Sequence, residues 1–488
     1  MSRTSYFGKP ARLAIAITVA IMLAFSSVAF AFASGSTNVP LTRISIDPYT
    51  NSSSQHKTEL EPDTYSHGST IVSAFQTGRF FDGGSSNIGW ATTTNGGTSW
   101  THGFLPGTTV YATPAGPYDR ISDPAVSYDV KHNTWMISSL AITGTTGVAV
   151  LISQSTNGGT TWSNPVTVAS TSNGFFDKEW VDCDTNTSGS FAGHCYVEWD
   201  DAANGNTIMM STSTDGGSHW GSAIHPSGAN GLGGQPIAQP NGTVVVPYES
   251  LSGTISAFTS TDGGTTWGHN NTVATIDVYF ENANIRTSPL PSAEVDGNGK
   301  IFVVWQDCRF ESGCSANDIV VSTSTNGTTW SAVTRIPTNA IGSGIDHFIP
   351  GIAVDKTTSG STAHLGLAYY FFTVASCTTN CVLGVGFVSS TNGGSTWSSP
   401  TVLKTGMSLN WLASTNQGQM VGDYMSTSIS NGKAYPVFAT ATPPVGSSLR
   451  ESMHTVTNGL SILGGSNPTT SVVLFRGHAA PSFPHTAF

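Results

Sequence analysis

One short phrase recurs six times in this 488-residue chain. Each copy begins with Ser or Thr, has Asn or Asp at its third position, continues through one or two glycines and closes on Trp. A phrase repeated at such intervals indicates a chain built from copies of one supersecondary unit. The copies occupy residues 93–100, 155–162, 213–220, 260–267, 324–330 and 390–397.

The local chemistry of the phrase predicts a turn between two strands. An Asn or Asp side chain caps backbone groups two residues further on, and glycine accepts positive φ without steric cost. Runs typical of strands flank the second copy, at residues 148–152 and 165–168. Two such runs joined by an Asx-Gly segment predict a β-hairpin. We expect the Ser or Thr hydroxyl to tie the turn and the Trp to fill apolar space beside it.

The phrase resembles the Asp-box, or BNR repeat, of sialidase-like β-propellers, and the resemblance extends over essentially the whole chain after residue 40. Asn replaces the family's Asp in four copies, and the fifth copy lacks one glycine. Asn makes the same local acceptor bonds, so we interpret these copies as tolerated variants. The four are Asn95, Asn157, Asn326 and Asn392.

A second pattern, two apolar runs joined by a turn, precedes each box, as at residues 123–128 and 134–138. Each unit is therefore predicted to contain four antiparallel strands, which is one propeller blade. Units begin near residues 61, 120, 177, 235, 288, 346 and 422, so seven unit starts accompany six boxes. We expect the early run 41–46 to supply the outer strand of the last unit, because an unpaired edge invites aggregation. The prediction is an all-β fold, a single propeller of seven blades; six blades, as in the sialidase family, with the tail outside the ring, is the alternative.

The N-terminus has the order of a secretory signal. Arg3, Lys9 and Arg12 precede an apolar run at 13–33 that ends in small residues. We predict a signal peptide over 1–33 and a propeller domain over 34–488. An uncleaved membrane anchor is the alternative, because about 20 apolar residues span a bilayer. No other segment is predicted to cross a membrane.

Composition and cysteine spacing favour an extracellular protein. The net charge is −11, and removal of the signal would make it −14. An acidic chain with only 10% charged residues is a poor partner for nucleic acid. The even number of cysteines predicts local disulfides. No cofactor is predicted; acidic loops such as 198–201 offer oxygen ligands for a structural Ca²⁺, but they lack the spacing of a calcium loop. The predicted pairs are Cys183/Cys195, Cys308/Cys314 and Cys377/Cys381.

Strand direction predicts which face carries a site. The box and the turn between the first two strands of a unit share one face. Residues that enter the first strand or leave the second lie on the other face, and loops held by rigid elements tend to carry function. There we place the substrate-binding candidates Arg79, Arg120, Arg286, Arg309, Asp123 and Trp180. With Trp180, we consider Trp199, Trp305 and Trp411 for stacking on a sugar.

The family resemblance implies a glycoside hydrolase in which three arginines hold a substrate carboxylate, a Tyr activated by a Glu is the nucleophile and an Asp is the acid/base. On this sequence the resemblance implies Asp82 as acid/base and Tyr424 as nucleophile, with Glu179 or Glu249 as its partner. A planar guanidinium binds a carboxylate through two hydrogen bonds, which is why arginines serve this role.

One element of the family's pattern is absent. The motif Phe/Tyr-Arg-Ile-Pro opens the family's first blade, whereas residues 61–66 here are acidic and contain no Arg. The only Arg-Ile-Pro is Arg335–Pro337, after the fifth box, and we interpret it as coincidental. Two hypotheses follow: a secreted sialidase-like hydrolase acting on a glycan, or a non-catalytic extracellular propeller that binds glycan or protein through the same face.

Overall fold

The computed structural model describes Met1, residues 39–280 and residues 283–470. The predicted signal segment, apart from Met1, lies outside the described residues. Within the described ranges, no helix is long and apolar enough to span a membrane.

The described residues form antiparallel β-sheets with three single-turn 3₁₀ segments, which confirms the all-β prediction. The strands of the first three units are Glu59–His67, Thr70–Arg79, Ser85–Thr93 and Thr101–Phe104; Arg120–Asp129, Thr134–Thr143, Thr146–Ser155 and Val166–Ser170; and Phe176–Cys183, Cys195–Asp201 and Thr207–Ser213. The fourth and fifth contain Gly231–Leu232, Ile237–Ala238, Val244–Ser250, Thr254–Ser260 and Gly268–Thr275; and Ser292–Val295, Ile301–Asp307, Asp318–Ser324 and Thr334–Arg335. The last two contain His347–Val354, Leu365–Phe372, Val382–Ser390 and Thr401–Ser408; and Ser426–Ser430, Lys433–Ala441 and Glu451–Val456.

Small additional elements connect these sets. Leu460–Ser461 pairs with Lys433–Ala441, Thr396–Trp397 pairs with Asn467–Pro468, and Ala413–Thr415 pairs with Gly418–Met420. The 3₁₀ turns are Ala202–Asn204, Gly360–Thr362 and Leu409–Trp411.

The two ends of the described chain meet in one sheet. Leu41–Arg43 pairs antiparallel with Glu451–Val456, so the sheet order is Leu41–Arg43, Glu451–Val456, Lys433–Ala441, Ser426–Ser430. The predicted pairing of the early run with the last unit is therefore confirmed. The seventh unit has no box because its outermost strand comes from the other end of the chain.

The first strands of neighbouring units contact each other in chain order. The contacts continue from Glu59–His67 through the first strands of the following units, and Ser426–Ser430 in turn contacts Glu59–His67. The first strands are thus arranged in a closed cycle of contacts.

The box turns are held by their own side chains. In the second box, the Ser155 Oγ accepts the Gly159 N–H (3.0 Å) and donates to the Asn157 Oδ1 (2.9 Å). The same Asn157 oxygen accepts the Thr161 N–H (3.1 Å), and the Trp162 indole N–H donates to the Gly159 carbonyl (3.0 Å). The hydroxyl therefore ties the turn as the sequence predicted, and Asn substitutes for Asp without loss of the local bonds.

Each box also joins its unit to the preceding one. The box tryptophans pack against six different hydrophobic clusters of the described residues, one per box. The first box reaches the last unit, because the Tyr435 hydroxyl donates to the Gly96 carbonyl (2.7 Å). The Gly96 N–H in turn donates to the Ser69 carbonyl (2.8 Å), in the turn between the first two strands of its own unit. The box and this turn thus lie at the same end of the strands, as strand direction predicted.

The three predicted cysteine pairs are all disulfides: Cys183–Cys195, Cys308–Cys314 and Cys377–Cys381. Each bridge spans 12 residues or fewer, so each one fixes a local loop rather than linking distant units.

Candidate functional site

The first strands share a backbone irregularity near their beginnings. One residue there is left-handed in four units, Glu61 (φ 56°), Asp123 (φ 47°), Lys178 (φ 52°) and Ile349 (φ 50°). A shift of pairing register in the same place marks a β-bulge in each of these strands. Bulges bend a strand and redirect its side chains, and they occur often beside functional sites.

The residue after this bulge position is a proline in three of those units: Pro62, Pro124 and Pro350. In the third unit it is Glu179. The seventh unit has a left-handed Gly422 (φ 135°), followed by Asp423 and Tyr424. A titratable side chain therefore takes the place of the proline in two units: Glu179 in the third and Tyr424 in the seventh.

A buried ion cluster lies where these strands begin. The Asp423 carboxylate accepts hydrogen bonds from the Arg286 Nε (2.7 Å) and Nη2, and from the Lys178 Nζ. The same Nζ lies 3.6 Å from the Asp123 Oδ1 and 3.9 Å from the Glu61 Oε1. We call Glu61, Asp123, Lys178, Arg286 and Asp423 the central cluster.

Glu61 connects the central cluster to one of the predicted arginines. Its Oε1 accepts the Asp423 N–H (3.1 Å), and its Oε2 accepts the Gln76 Nε2. The Gln76 Oε1 accepts the Arg79 Nη1 (2.8 Å), and the Arg79 side chain is almost completely buried. The acid that occupies the place of the family's first Arg thus holds the first and last units together.

The electrostatics of the cluster follow from burial and charge pairing. Burial alone would raise the pKa of Asp423, but Arg286 and Lys178 hold it below its ordinary value. Burial raises the pKa of Glu61 to about 8, with a further contribution from the negative charge of Asp123. Asp423 is therefore ionised, and Glu61 is mostly protonated at pH 7.

A pocket opens beside the cluster, and it is lined by residues of the third to seventh units. Glu179, Trp180 and Tyr424 form one wall, and the Trp180 and Tyr424 rings meet edge to face with centroids 5.0 Å apart. We call it the Glu179 pocket. Its remaining lining is Lys178, Gly233, Gln235, Leu290, Pro291, Ser292, Ile349, Pro350, Asp423 and Met425.

Glu179 is the least satisfied polar group of this pocket. Its side chain is 1% exposed, and neither carboxylate oxygen has a hydrogen-bond partner among the other described residues. Burial raises its pKa well above the ordinary value, and the charge of Asp123 adds to the shift. Burial and the neighbouring negative charge therefore both favour the protonated form of Glu179.

Tyr424 is positioned by a backbone contact. Its hydroxyl donates to the Pro124 carbonyl (3.0 Å), and burial, followed by the charges of Glu61 and Asp123, raises its pKa well above 10. The structure thus brings Tyr424 and Glu179 into one pocket, but it keeps the phenol neutral.

A second pocket lies further along the first strands and shares Trp180, Gln235, Ser292 and Met425 with the Glu179 pocket. Its Asp63 and Asp182 carboxylates accept hydrogen bonds from the backbone of the following unit. Asp63 accepts the Val126 N–H (2.6 Å) and Asp182 accepts the Ala238 N–H (3.1 Å). These acids therefore have structural partners.

The four predicted arginines do not converge. Arg79 and Arg286 are both associated with the central cluster. Arg120 instead pairs with Asp82 (2.5 Å), the predicted acid/base, and its guanidinium lies 4.3 Å from the Phe80 ring centroid. Arg309 binds Asp307 through its Nη2 (2.7 Å).

The other candidates are distributed as follows. Neither Asp82 nor Glu249 lines the Glu179 pocket, and burial raises the pKa of Glu249 to about 8. The prediction of sugar stacking is wrong for Trp199 and Trp305, whose side chains are fully buried. Arg335 of the isolated Arg-Ile-Pro forms a buried pair with Asp318 (2.7 Å).

The sequence interpretation did not select Lys178, Asp423 or Glu61. The available signal was position in the repeat, because Glu61 and Lys178 stand where the selected Asp123 stands in the second unit, near the start of the first strand. Among the described residues, no group of three or more His, Cys, Asp and Glu side chains has the geometry of a metal site.

Residues 141–351 match the family described as the BNR repeat-like domain. This match confirms the resemblance to the sialidase-like BNR superfamily that the boxes indicated. No curated protein sequence matches the chain.

Among solved structures, an ulvan lyase with bound -[GlcA(1-4)Rha3S]- is 11% identical, with a TM-score of 0.51, over 86% of this chain and 96% of the lyase. A protein of unknown function from Dyadobacter fermentans is 14% identical, with a TM-score of 0.45, over 72% of this chain and 99% of that protein. The leech intramolecular trans-sialidase is 13% identical, with a TM-score of 0.44, over 67% of each chain. At such identities the similarity to the lyase shows a shared fold alone.

Proposed function

With the resemblance to BNR-repeat proteins as the premise, we propose that the chain is an exported seven-bladed β-propeller that recognises a glycan at the Glu179 pocket. The closed cycle of first-strand contacts and the pairing of Leu41–Arg43 with the last unit support seven blades. The three disulfides support export, because such bonds persist in oxidising compartments.

Binding without sialidase chemistry fits the site best. The observation that carries this proposal is the use of the buried cations inside the protein. Arg286 and Lys178 both bind Asp423, and Arg120 and Arg309 pair with local acids. Among the described residues, the unpartnered buried guanidinium atoms of the four predicted arginines are confined to Arg79 and Arg286, so a convergent set of three arginines is not formed. A clamp for a sialic acid carboxylate needs free guanidinium groups directed at one point. The ulvan lyase of similar fold has a bound sugar chain, -[GlcA(1-4)Rha3S]-, which supports a glycan as the ligand class.

A second candidate, a glycoside hydrolase, is favoured by one observation. Glu179 and Tyr424 line the same pocket, as the family resemblance implied for the nucleophile and its partner. Glycoside cleavage needs an acid and a nucleophile on either side of the scissile bond. The raised pKa of Tyr424 opposes a nucleophilic role, because a buried neutral phenol is a weak nucleophile.

Two assays separate the candidates. Purified protein is applied to a glycan array and, separately, incubated with a fluorogenic sialoside and a panel of aryl glycosides. Saturable binding with no product supports the recognition protein, whereas turnover that disappears in Tyr424→Phe supports the hydrolase. Absence of both binding and turnover contradicts glycan recognition.

A further inference from the structure

We propose that the Glu198 carboxyl group is a proton-dependent switch behind the Glu179 pocket. While Glu198 is protonated, segment 233–236 packs on it and completes the pocket lining, and when Glu198 ionises this segment is displaced. The inference rests on the proposed glycan-binding function, because it assigns a means of regulation to that same pocket.

The first argument is the position of Glu198. It lies in Cys195–Asp201 directly opposite Trp180, and residues opposite each other in an antiparallel pair lie side by side on one face of the sheet. A Cβ atom on Gly234 would lie 2.5 Å from the Glu198 Cδ, so the backbone of the fourth unit packs directly on the carboxyl group. Trp180 and both chain neighbours of Gly234 line the Glu179 pocket. The carboxyl group therefore lies behind two parts of the pocket lining.

The second argument is that no cation compensates a charge on Glu198. Its side chain is fully buried, and neither carboxylate oxygen has a hydrogen bond of ordinary geometry among the described residues. Burial, followed by the negative charges of Asp200 and Asp177, raises its pKa well above the ordinary value, and only the Gly234 N–H favours the ionised form. An ionised Glu198 would therefore be a buried charge without a partner, which is costly in the folded state.

The other titratable groups on the surrounding strands do not supply such a cation. Lys178 is the only basic residue on Phe176–Cys183, Cys195–Asp201 and Val244–Ser250. It binds Asp423, and its charge favours the ionised forms of Asp177 and Asp200 rather than that of Glu198. Thr207–Ser213 and Gly231–Leu232, which also pack against the strand of Glu198, contain no titratable residue. The remaining titratable residues on the first three strands are Glu179, Asp182, Tyr196, Asp201, Tyr248 and Glu249.

The third argument is the irregular backbone that covers the carboxyl group. The first strand of the fourth unit is interrupted between Leu232 and Ile237, and Gly233 in this interval is left-handed (φ 64°). Backbone outside the strand ladders opens at a lower free energy than paired strands do. Removal of the proton from Glu198 at high pH should therefore displace segment 233–236 and admit water. Because the folded-state pKa is raised, the closed lining is favoured at low pH and lost as pH rises.

The experiment follows hydrogen exchange in peptides that contain residues 233–236, at pH 6 and pH 10, in the native protein and in Glu198→Gln. The Gln235 N–H donates to the Pro247 carbonyl (3.0 Å), so its exchange reports displacement of the segment. Comparison of two proteins at one pH cancels the effect of pH on the chemical exchange rate. We expect equal exchange, within about twofold, at pH 6, and exchange at least about tenfold faster in the native protein at pH 10. Equal exchange at pH 10 overturns the inference.

A second neutral variant and a matched control complete the comparison. Glu198→Met is expected to behave like Glu198→Gln and replaces it if the latter lacks a native circular dichroism spectrum. Glu451 is also fully buried, one of its oxygens lacks a partner among the described residues and burial raises its pKa, but it lies in the seventh unit. Glu451→Gln should therefore retain the native pH dependence of segment 233–236. Equal suppression by Glu451→Gln and Glu198→Gln, or fast exchange at pH 6 in both Glu198 variants, overturns the switch.

A sugar separates the switch from the proposed function. The array glycan that binds most tightly at pH 6 is titrated by calorimetry at pH 6 and pH 10. At pH 10, Glu198→Gln should bind it at least about threefold more tightly than the native protein does, because its lining stays closed. Equal affinity of the two proteins at pH 10 overturns the regulatory role and leaves the proposed function standing. If no glycan binds, the proposed function fails, and the exchange comparison still decides whether Glu198 is a switch.

Discussion

The box turns and the central cluster differ in the residues that form them and in the sequence distance that their bonds span, although both involve the same set of strands. Every box uses nearly the same residues, and the bonds that shape its turn close within eight positions of the chain. The central cluster uses different residues in each unit, and its bonds join positions as distant as Lys178 and Asp423. The residues that recur in every box therefore stabilise the repeat, whereas the residues that differ from unit to unit form the candidate site.

The comparison predicts that a mutation in the central cluster lowers the free energy of unfolding more than a mutation in a box. Asp423→Ala would leave Lys178 and Arg286 buried without their shared anion, and we expect a loss of about 3–5 kcal/mol in the free energy of unfolding. Urea denaturation followed by tryptophan fluorescence measures it.

The control for this change is Asp82→Ala. Its carboxylate pairs with Arg120 but is about half exposed, at 49%. We expect a loss below about 1 kcal/mol. Similar losses in the two variants would show that burial of the cluster does not determine its contribution.

The pH dependence of stability tests the same region. The folded-state pKa of Glu249 is raised to about 8 by burial and then by Asp423, above the ordinary value of about 4.3. The folded protein thus holds a proton that the unfolded chain releases, so this contribution is complete below about pH 4 and is lost as pH rises towards 8.

Glu249→Gln should remove that dependence. Between pH 5.5 and 7.5, the native protein should lose stability more steeply than the variant, by about 1.4 kcal/mol per pH unit for one proton. The measurement is the free energy of unfolding in urea at several pH values. Parallel curves would contradict the assignment.

In the boxes, the largest effect is expected from crowding at a glycine. Gly159 is left-handed (φ 75°), and a Cβ there would lie 2.7 Å from the Val72 Cγ2. Gly159→Ala should cost about 2–4 kcal/mol, since it combines a left-handed alanine with overpacking.

Gly144→Ala is the matched control, because Gly144 is also left-handed (φ 61°) but has no atom near its added Cβ. It should cost only about 1–2 kcal/mol. Equal losses in thermal or urea unfolding would mean that the box does not pack tightly on the preceding unit.

The smallest effect is expected from the hydroxyl of a single box. Ser155→Ala removes the acceptor of the Gly159 N–H, and we expect a loss of about 1 kcal/mol. Thr160→Ala, at a half-buried position of the same turn, removes only a solvent-exposed hydrogen bond to the Asn157 carbonyl and should change the free energy of unfolding by less than about 0.5 kcal/mol. A larger effect of Thr160→Ala would contradict the assigned role of Ser155.

Sequence patterns predicted the fold well because each unit's signals are local. The Asx-Gly turn, the hydroxyl, the Trp and the close cysteine pairs all act within a few residues, so their spacing alone indicated the hairpins and the disulfides. The pairing of the early run with the last unit was also predictable, because the seventh unit lacked an outer strand and a box.

The candidate site was predictable only in part. Strand direction placed the candidates at the end of the strands where the Glu179 pocket lies, and Tyr424 and Glu179 both line that pocket. The arrangement of the four predicted arginines was not predictable, because Arg120 and Arg286 pair with acids that are distant in the sequence, Asp82 and Asp423.

By itself the sequence determined the repeated unit, the all-β fold and the disulfide pairs, since turn chemistry and strand periodicity depend on neighbouring residues. Only the tertiary structure decided that Asp423 binds both Lys178 and Arg286, that Arg120 pairs with Asp82 and that Glu179 has no partner among the described residues. The physical reason is that burial and charge pairing depend on which distant strands meet.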